Sequence, residues 1–182
     1  MKIFSDNFYT ELEALIKDRF EQEENIQIIQ KVDWEVEANR CLAAMTNYLN
    51  SITKDKLRYS DIEKIGVIDV YWNEYGSDIE IDFMPNNDFE IAYDEGCIMN
   101  NSAIDNDVFF EKYFGVNGEG AWKKIGNDYL EIATIFYFII KAVVPFLVED
   151  ESFKKLPKLS PCHFGFAGSH DEERTKVFTY TT

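Results

Sequence analysis

The segment GVIDVYWNEYGSDIEIDFMPNNDFEIAYD, residues 66–94, decides the fold expected for this chain of 182 residues. Apolar and polar residues alternate in three of its stretches, GVIDVYW, DIEIDFM and DFEIAYD, as they do in strands that bury one face. Gly76-Ser77 and Pro85-Asn-Asn87, which separate the stretches, are residue types that form tight turns. Because such short connections join neighbouring antiparallel strands, the segment predicts a three-stranded meander at about 66–94.

Helical patterns lie on both sides of the meander. Apolar residues recur at helical spacing over 5–24, 33–52, about 105–114 and 127–148. The glycine-rich stretch 115–126 is interpreted as a connection, and 162–168 and 176–182 are two further strand candidates. The sequence therefore predicts one α+β domain over 1–182, in which an antiparallel sheet, made of the meander and two C-terminal strands, packs against helices on one face.

Acidic charge dominates the composition. The chain has 34 Asp and Glu against 18 Lys and Arg, which gives a net charge of −16. An acidic surface repels nucleic acid and anionic membranes, so neither is expected as a direct partner. The charge favours a cationic protein partner, a metal cation or simple solubility.

The sequence indicates a soluble cytoplasmic protein. Cys41, Cys97 and Cys162 are odd in number and widely spaced, which is typical of free thiols in a reducing compartment. The first residues contain no apolar stretch of the length found in signal peptides. The longest apolar segment is interrupted by Lys141 and Pro145, so it is too short for a membrane span.

The acids of the meander bear most directly on function. Asp78, Glu80 and Asp82 alternate with apolar residues, so strand geometry places all three on the face opposite the core, and Asp69 of the first stretch is expected on the same face. Carboxylates at this spacing, or opposite each other on neighbouring strands, repel by about 0.6–0.8 kcal/mol per pair in water. Three interpretations remain open: a solvated face of an acidic protein, a docking surface for a basic protein, and a site for Mg²⁺ or Ca²⁺.

The favoured function is binding to a basic protein. The sequence predicts an inhibitor or immunity-type protein, as found in toxin–antitoxin pairs, that neutralises a basic toxin or nuclease domain by charge-complementary occlusion. The predicted partner-binding residues are Asp69, Glu74, Tyr75, Asp78, Glu80, Asp82, Asp88, Glu90 and Asp94. No catalytic residue, metal site or cofactor is predicted, and a binding protein is favoured over an enzyme.

The aromatic residues Tyr71, Trp72 and Tyr75 cluster by the first hairpin tip. Core packing explains most clusters of this kind. When such residues are exposed beside an acidic surface, however, they are also typical anchors of protein interfaces. The sequence leaves both roles open.

An enzyme is the alternative hypothesis. Asp78, Glu80 and Asp82 would then hold the metal ions of a nucleotidyl- or phosphoryl-transfer reaction. A Gly-Ser turn before an acidic strand also occurs in nucleotidyltransferases of the polymerase-β type. Here Gly76-Ser77 runs directly into the acids without the spacer of that family, so membership is not inferred.

Overall fold

The computed structural model describes residues 1–59, 62–73, 75, 77–90, 102–168 and 174–181. The helices are α1 (Asp6–Arg19), α2 (Glu23–Ile29), α3 (Trp34–Ser51), α4 (Lys54–Tyr59), α5 (Asp107–Phe114), α6 (Gly118–Ile125), α7 (Tyr129–Leu147) and α8 (Glu151–Lys154). The strands are β1 (Ile65–Trp72), β2 (Ile79–Met84), β3 (Ser102–Ile104), β4 (Lys158–Ala167) and β5 (Thr175–Tyr180). A short 3-10 turn, Gly126–Asp128, joins α6 to α7.

Within the described residues the five strands form one open sheet in the order β3-β2-β1-β4-β5. β1 pairs antiparallel with β2 but parallel with β4. The sheet is therefore mixed, and the prediction of a wholly antiparallel sheet is wrong, although the broad α+β class is confirmed. The chain passes through β3 and α5–α8 before it reaches β4, and a crossover of that length allows a strand to enter parallel to β1.

In the described part of the third predicted strand, residues 88–90, the backbone forms a turn and no strand. Asp88 N donates to Asn86 Oδ1 at 2.8 Å and Glu90 N donates to Asp88 Oδ1 at 3.2 Å. Such side-chain bonds turn the backbone and compete with strand pairing. β2 pairs instead with β3, and residues 91–94 of the predicted strand lie outside the described part of the chain.

The helices cover one face of the sheet. Tyr48 of α3 stacks on Phe83 of β2 with ring centroids 6.1 Å apart, and its hydroxyl donates to the carbonyl of Ile81 at 3.1 Å. Trp72 of β1 meets Phe136 of α7 at 5.3 Å. The apolar positions of the alternating strands therefore face the helices, as the period-2 pattern predicted.

α7 is the central helix of this layer. Its apolar residues are mostly buried, and it contacts α1, α3, β4 and β5. α6, the 3-10 turn and α7 together, residues 118–147, are long and apolar enough to cross a membrane by length and composition alone. Half of the most apolar 18 residues of this stretch, however, are buried inside the fold. The core helix of a soluble protein passes the same test, so this stretch is weak support for a membrane role.

Two helix boundaries differ from the prediction. The single helix expected over 5–24 is divided into α1 and α2, because the carboxylate of Asp128 accepts bonds from Glu21 N at 2.7 Å and Gln22 N at 3.1 Å and so starts a new helix. The glycine-rich connection expected at 115–126 contains helix α6. Asn117 caps this helix by accepting a hydrogen bond from Gly120 N at 3.1 Å.

Candidate functional site

The acids of β1 and β2 are not on a solvent-exposed surface. Asp69 and Asp82 are each 1% exposed and Glu80 is also buried, so the expectation that they form a wet docking face is wrong. They do share one sheet face, as predicted, since Asp69 lies directly opposite Asp82 in the ladder. The structure thus confirms their common orientation and removes them from direct reach of a partner.

The segment 86–90 covers this second sheet face. A Cβ at Gly66 would lie 2.2 Å from the backbone carbon of Asn86, so only glycine lets the covering segment approach so closely. Phe89 packs there with Val67 and Met84 in a small apolar cluster. Phe89 and Asp69 both lie against Gly165, so the segment contributes to the burial of Asp69, which the strand alternation does not reveal.

Arg174 neutralises part of the buried charge. Its guanidinium forms an ion pair with Asp69 and donates to the carbonyl of Phe89 at 2.5 Å. The guanidinium carbon lies 5.0 Å from the centre of the Phe89 ring. Burial raises the pKa of Asp69, and the hydrogen bond and charge of Arg174 oppose that rise. Asp69 and Arg174 therefore join β1, the covering segment and the start of β5.

The remaining predicted site residues are scattered. Glu80 accepts a hydrogen bond from Asn73 Nδ2 at 2.7 Å. Asp78 is half-buried ahead of β2, and burial raises its pKa against the hydrogen bonds from Ser102 and Asn106. Asp88 and Glu90 are exposed in the covering segment, whereas Glu74 and Asp94 lie outside the described residues. In the described part of the chain, no group of three or more His, Cys, Asp or Glu could hold a metal ion.

Tyr75 belongs to a different feature, an exposed apolar groove. Its side chain is 82% exposed at the tip of the β1–β2 hairpin, beside Trp122 of α6, which is 53% exposed, and Leu130 of α7, which is 56% exposed. The groove has a volume of about 870 Å³ and is lined by Tyr75, Trp122, Lys123, Gly126, Asn127, Tyr129 and Leu130. It is named the Trp122 groove below.

Ser77 holds the hairpin tip in place. Its backbone has a φ of 63°, a value that residues other than glycine rarely adopt, and the residue is fully buried. Its hydroxyl contacts the Tyr129 hydroxyl at 2.7 Å and donates to the carbonyl of Gly118 at 3.0 Å. The tip is therefore fastened to the starts of both α6 and α7, the two helices that form the rest of the groove.

A chain of polar contacts extends this support into the protein. Asn106 Nδ2 donates to the carbonyl of Ser77 at 2.8 Å, and Asn106 Oδ1 accepts from Arg40 at 2.8 Å. Arg40 in turn pairs with the buried carboxylate of Glu37 at 2.8 Å. Strained backbone that is held by several buried contacts is typical of preorganised sites.

Acidic residues stand at the rim of the Trp122 groove. Glu21 accepts a hydrogen bond from Asn127 Nδ2 at 3.0 Å, and Glu119 is exposed three residues before Trp122, on the same side of α6. Lys123 is the basic residue among the described lining residues, and its Nζ lies 5.9 Å from the centre of the Trp122 ring. An apolar floor with a charged rim is the usual anatomy of a protein interface.

Trp122 and Leu130 were not among the residues predicted from the sequence. Trp122 lay in a stretch interpreted as a connection because of its glycines, and Leu130 lay on a helix that looks apolar on every side. The available signal was the run from Asn117, a capping residue, through Ala121 and Ile125, the buried stripe of α6. Trp122 lies one turn from both Gly118 and Ile125, beside this stripe, so its exposure depends on the tertiary fold and is not marked by the spacing.

Cys41, Cys162 and the described histidine are part of the fold. Burial raises the pKa of Cys41 to about 12 and that of Cys162 to about 12, so both thiols are kept protonated and unreactive. His163 is buried and its Nδ1 contacts the Thr179 hydroxyl at 2.9 Å. These side chains pack the sheet and contribute no reactive pair.

Comparison of the chain with models of known protein families, with curated proteins and with solved structures yields no significant match. Function is therefore inferred from the geometry, burial and charge of the residues described above. Within the described residues, the Trp122 groove brings three exposed large apolar side chains together.

Proposed function

We propose that this protein is an inhibitor-type binding protein that captures a basic protein partner through the Trp122 groove. The observation that carries the proposal is the presence of three exposed apolar side chains around one groove, each from a different element. These side chains, of Tyr75, Trp122 and Leu130, are exposed although burying them would stabilise the fold. Large apolar side chains exposed together mark interaction surfaces.

The composition of the groove supports a protein partner. Trp and Tyr dominate the residues that contribute most to binding energy at protein interfaces, where they fill pockets at the centre of the contact. The fastening of the hairpin tip by Ser77 supports tight binding, because a preorganised surface loses little entropy when it binds. The half-exposed Trp122 is the central anchor in this proposal.

The charge of the chain supports a basic partner. A net charge of −16 attracts a cationic protein over the Debye length, about 8–10 Å at physiological salt, and raises the association rate. Glu21 and Glu119 at the groove rim, with the exposed Asp88 and Glu90 elsewhere on the surface, contribute to this field. A cytoplasmic immunity-type role, in which a toxin or nuclease domain is occluded, is the form of inhibition that we propose.

The proposal is tested by capture with a matched control. The wild-type protein is immobilised and compared with Trp122→Ala and Val108→Ala, because Trp122 and Val108 are both 53% exposed but only Trp122 lines the groove. We expect wild type and Val108→Ala to retain from a lysate of the native host a strongly basic protein that Trp122→Ala does not retain.

The captured protein is then purified and its own activity is titrated with the binding protein. Inhibition that is complete at equimolar ratio, and an association rate that falls steeply as salt rises from about 50 to 200 mM, are the expected results. Equal retention by all three forms, or a partner whose activity is unaffected at saturation, would contradict the proposal.

A further inference from the structure

A second, smaller pocket continues from the Trp122 groove along α7. It has a volume of about 410 Å³, and Leu130 lines both cavities. Arg19 of α1, Glu131 and Tyr137 of α7, and Phe166 of β4 are among its walls. It is named the Glu131 pocket below. Because Leu130 separates the two cavities, one continuous segment of a partner that crosses Leu130 contacts both.

The Glu131 carboxylate is poorly partnered. Its Oε2 atom is buried and accepts no hydrogen bond from the described residues. Its ion pair is with Arg19, whose Nη1 lies 3.6 Å away, beyond the 2.7–3.2 Å range of a good N–H···O bond. Since the Arg19 side chain is 62% exposed, its pairing with Glu131 is weak and a better-placed cation can replace it.

Aromatic side chains complete the pocket. The rings of Tyr137 and Phe166 meet with centroids 5.4 Å apart, and Tyr137 remains partly accessible. Aromatic faces next to a carboxylate suit Lys and Arg side chains, because the methylene stem packs on the rings while the charged end reaches the acid. The chemistry of the Glu131 pocket therefore differs from that of the apolar Trp122 groove.

We infer that the Glu131 pocket receives a Lys or Arg side chain of the partner, next to an apolar side chain that the Trp122 groove receives. This inference rests on the proposed function and specifies the partner segment that it requires. Leu130 and Thr134 are about 6 Å apart along α7, and Leu130 and Tyr137 are about 10 Å apart. The apolar and basic residues are therefore two or three positions apart in an extended segment or, for the shorter distance, four apart in a helix.

Short synthetic peptides test the inference. Each carries one Leu or Trp in a Gly/Ser background, with Lys, Arg, Gln or Glu two, three or four positions away, and its Kd is measured by fluorescence anisotropy. At the favoured spacing we expect the Lys and Arg peptides to bind about tenfold more tightly than the Gln peptide, since a hydrogen bond to a charged group has about that effect. Glu131→Gln should abolish this preference, while Glu111→Gln, which removes an exposed acid of α5 outside both cavities, should leave it unchanged.

Arg19→Ala supplies a result in the opposite direction. It removes the side chain that competes for Glu131, so basic peptides should bind about two- to fivefold more tightly to this variant. A peptide affinity that is unchanged or weaker in Arg19→Ala would contradict the inference.

The inference and the proposed function fail in distinguishable ways. Suppose that Trp122→Ala weakens the binding of every peptide, and that Glu131→Gln and Glu111→Gln keep the same preference for basic peptides. The Glu131 pocket is then not the receptor of the basic side chain, and the binding role of the groove stands. If Trp122→Ala weakens none of them, or if no peptide binds at millimolar concentration, the partner segment inferred here is wrong, and a simultaneous failure of the capture experiment removes the proposed function as well.

Discussion

The hydroxyls of Ser77 and Tyr129 lie 2.7 Å apart, and this contact joins the tip of the β1–β2 hairpin to the first turn of α7. The two residues are 52 positions apart in the chain, so the contact is a product of the tertiary fold. It sets the distance between the exposed Tyr75 and the helices that carry Trp122 and Leu130. The shape of the Trp122 groove therefore depends on a buried polar contact.

Ser77→Ala is expected to destabilise the protein by about 1–3 kcal/mol, because it removes a buried hydroxyl that makes two hydrogen bonds. Urea unfolding measures the change, and Tyr129→Phe completes a double-mutant cycle. Since the two hydroxyls are in contact, the cost of the double variant should fall short of the sum of the single costs. Strict additivity would show that the contact contributes no stability.

The β1–β2 hairpin and the common orientation of its acids could be predicted from the sequence, because alternation along a strand fixes which side chains share a face. The burial of Asp69 could not be predicted in this way. Its neutralising partner, Arg174, is 105 residues away, and its cover comes from a segment whose own alternation resembled a strand. The side-chain hydrogen bonds of Asn86 and Asp88, which turn that segment, leave no mark on hydrophobic periodicity.

The difference between local pattern and tertiary contact also explains which residues of the candidate site could be predicted. Tyr75 was predicted to be a partner-binding residue from its place at a hairpin tip, and it is exposed in the structure. Trp122 was not predicted, because α6 has glycine at 118 and 120 and its short buried stripe is visible only once the helix is known. Local pattern identifies strands and turns, whereas a groove formed by three separate elements requires the tertiary fold.

Arg174→Met is expected to cost about 3–5 kcal/mol at neutral pH, because it leaves the buried carboxylate of Asp69 without its cation. The cost should be smaller near pH 4, where protonation removes the uncompensated charge. Urea unfolding at both pH values measures the difference. Lys176→Met is a suitable control, since Lys176 also lies near the Phe89 ring, at 4.7 Å, but is exposed. Equal costs for the two variants would contradict the role assigned to Arg174.

The pH dependence of stability should carry the signature of Asp69. Burial raises the pKa of Asp69 in the folded protein above its ordinary value of 3.8, so the folded state holds this proton more tightly than the unfolded state does. Its contribution to stability is therefore greatest at low pH and declines as pH rises from 3.8 through the raised pKa. The stability of wild type relative to Asp69→Asn should decrease over that interval and be constant above it. An increase would mean that Arg174 outweighs burial and lowers the pKa.

Asp128→Ala is expected to destabilise the protein by about 2–4 kcal/mol. The fully buried carboxylate accepts hydrogen bonds from Glu21 N, Gln22 N and Asn25 Nδ2, and without it the first turn of α2 has unsatisfied donors. Asp33→Ala is the matched control, because Asp33 caps α3 through one exposed bond to Val36 N at 3.2 Å and should cost only about 1 kcal/mol. Thermal or urea unfolding distinguishes the two, and equal costs would contradict the argument.

Trp122→Ala and Leu130→Ala should each cost about 1–2 kcal/mol in the free energy of unfolding, less than the about 2–5 kcal/mol of truncating a fully buried Leu or Trp, because both side chains are more than half exposed. The same substitutions should reduce the fluorescence of a dye that binds exposed apolar surface, since they remove the walls of the Trp122 groove. Val108→Ala, with the same exposure as Trp122 but outside the groove, should leave the dye signal unchanged. Side chains whose role is to pack the core would show the reverse result, a loss of stability with little change in dye binding. A large loss of dye binding at a small cost in stability is the result expected of side chains that are exposed for a partner.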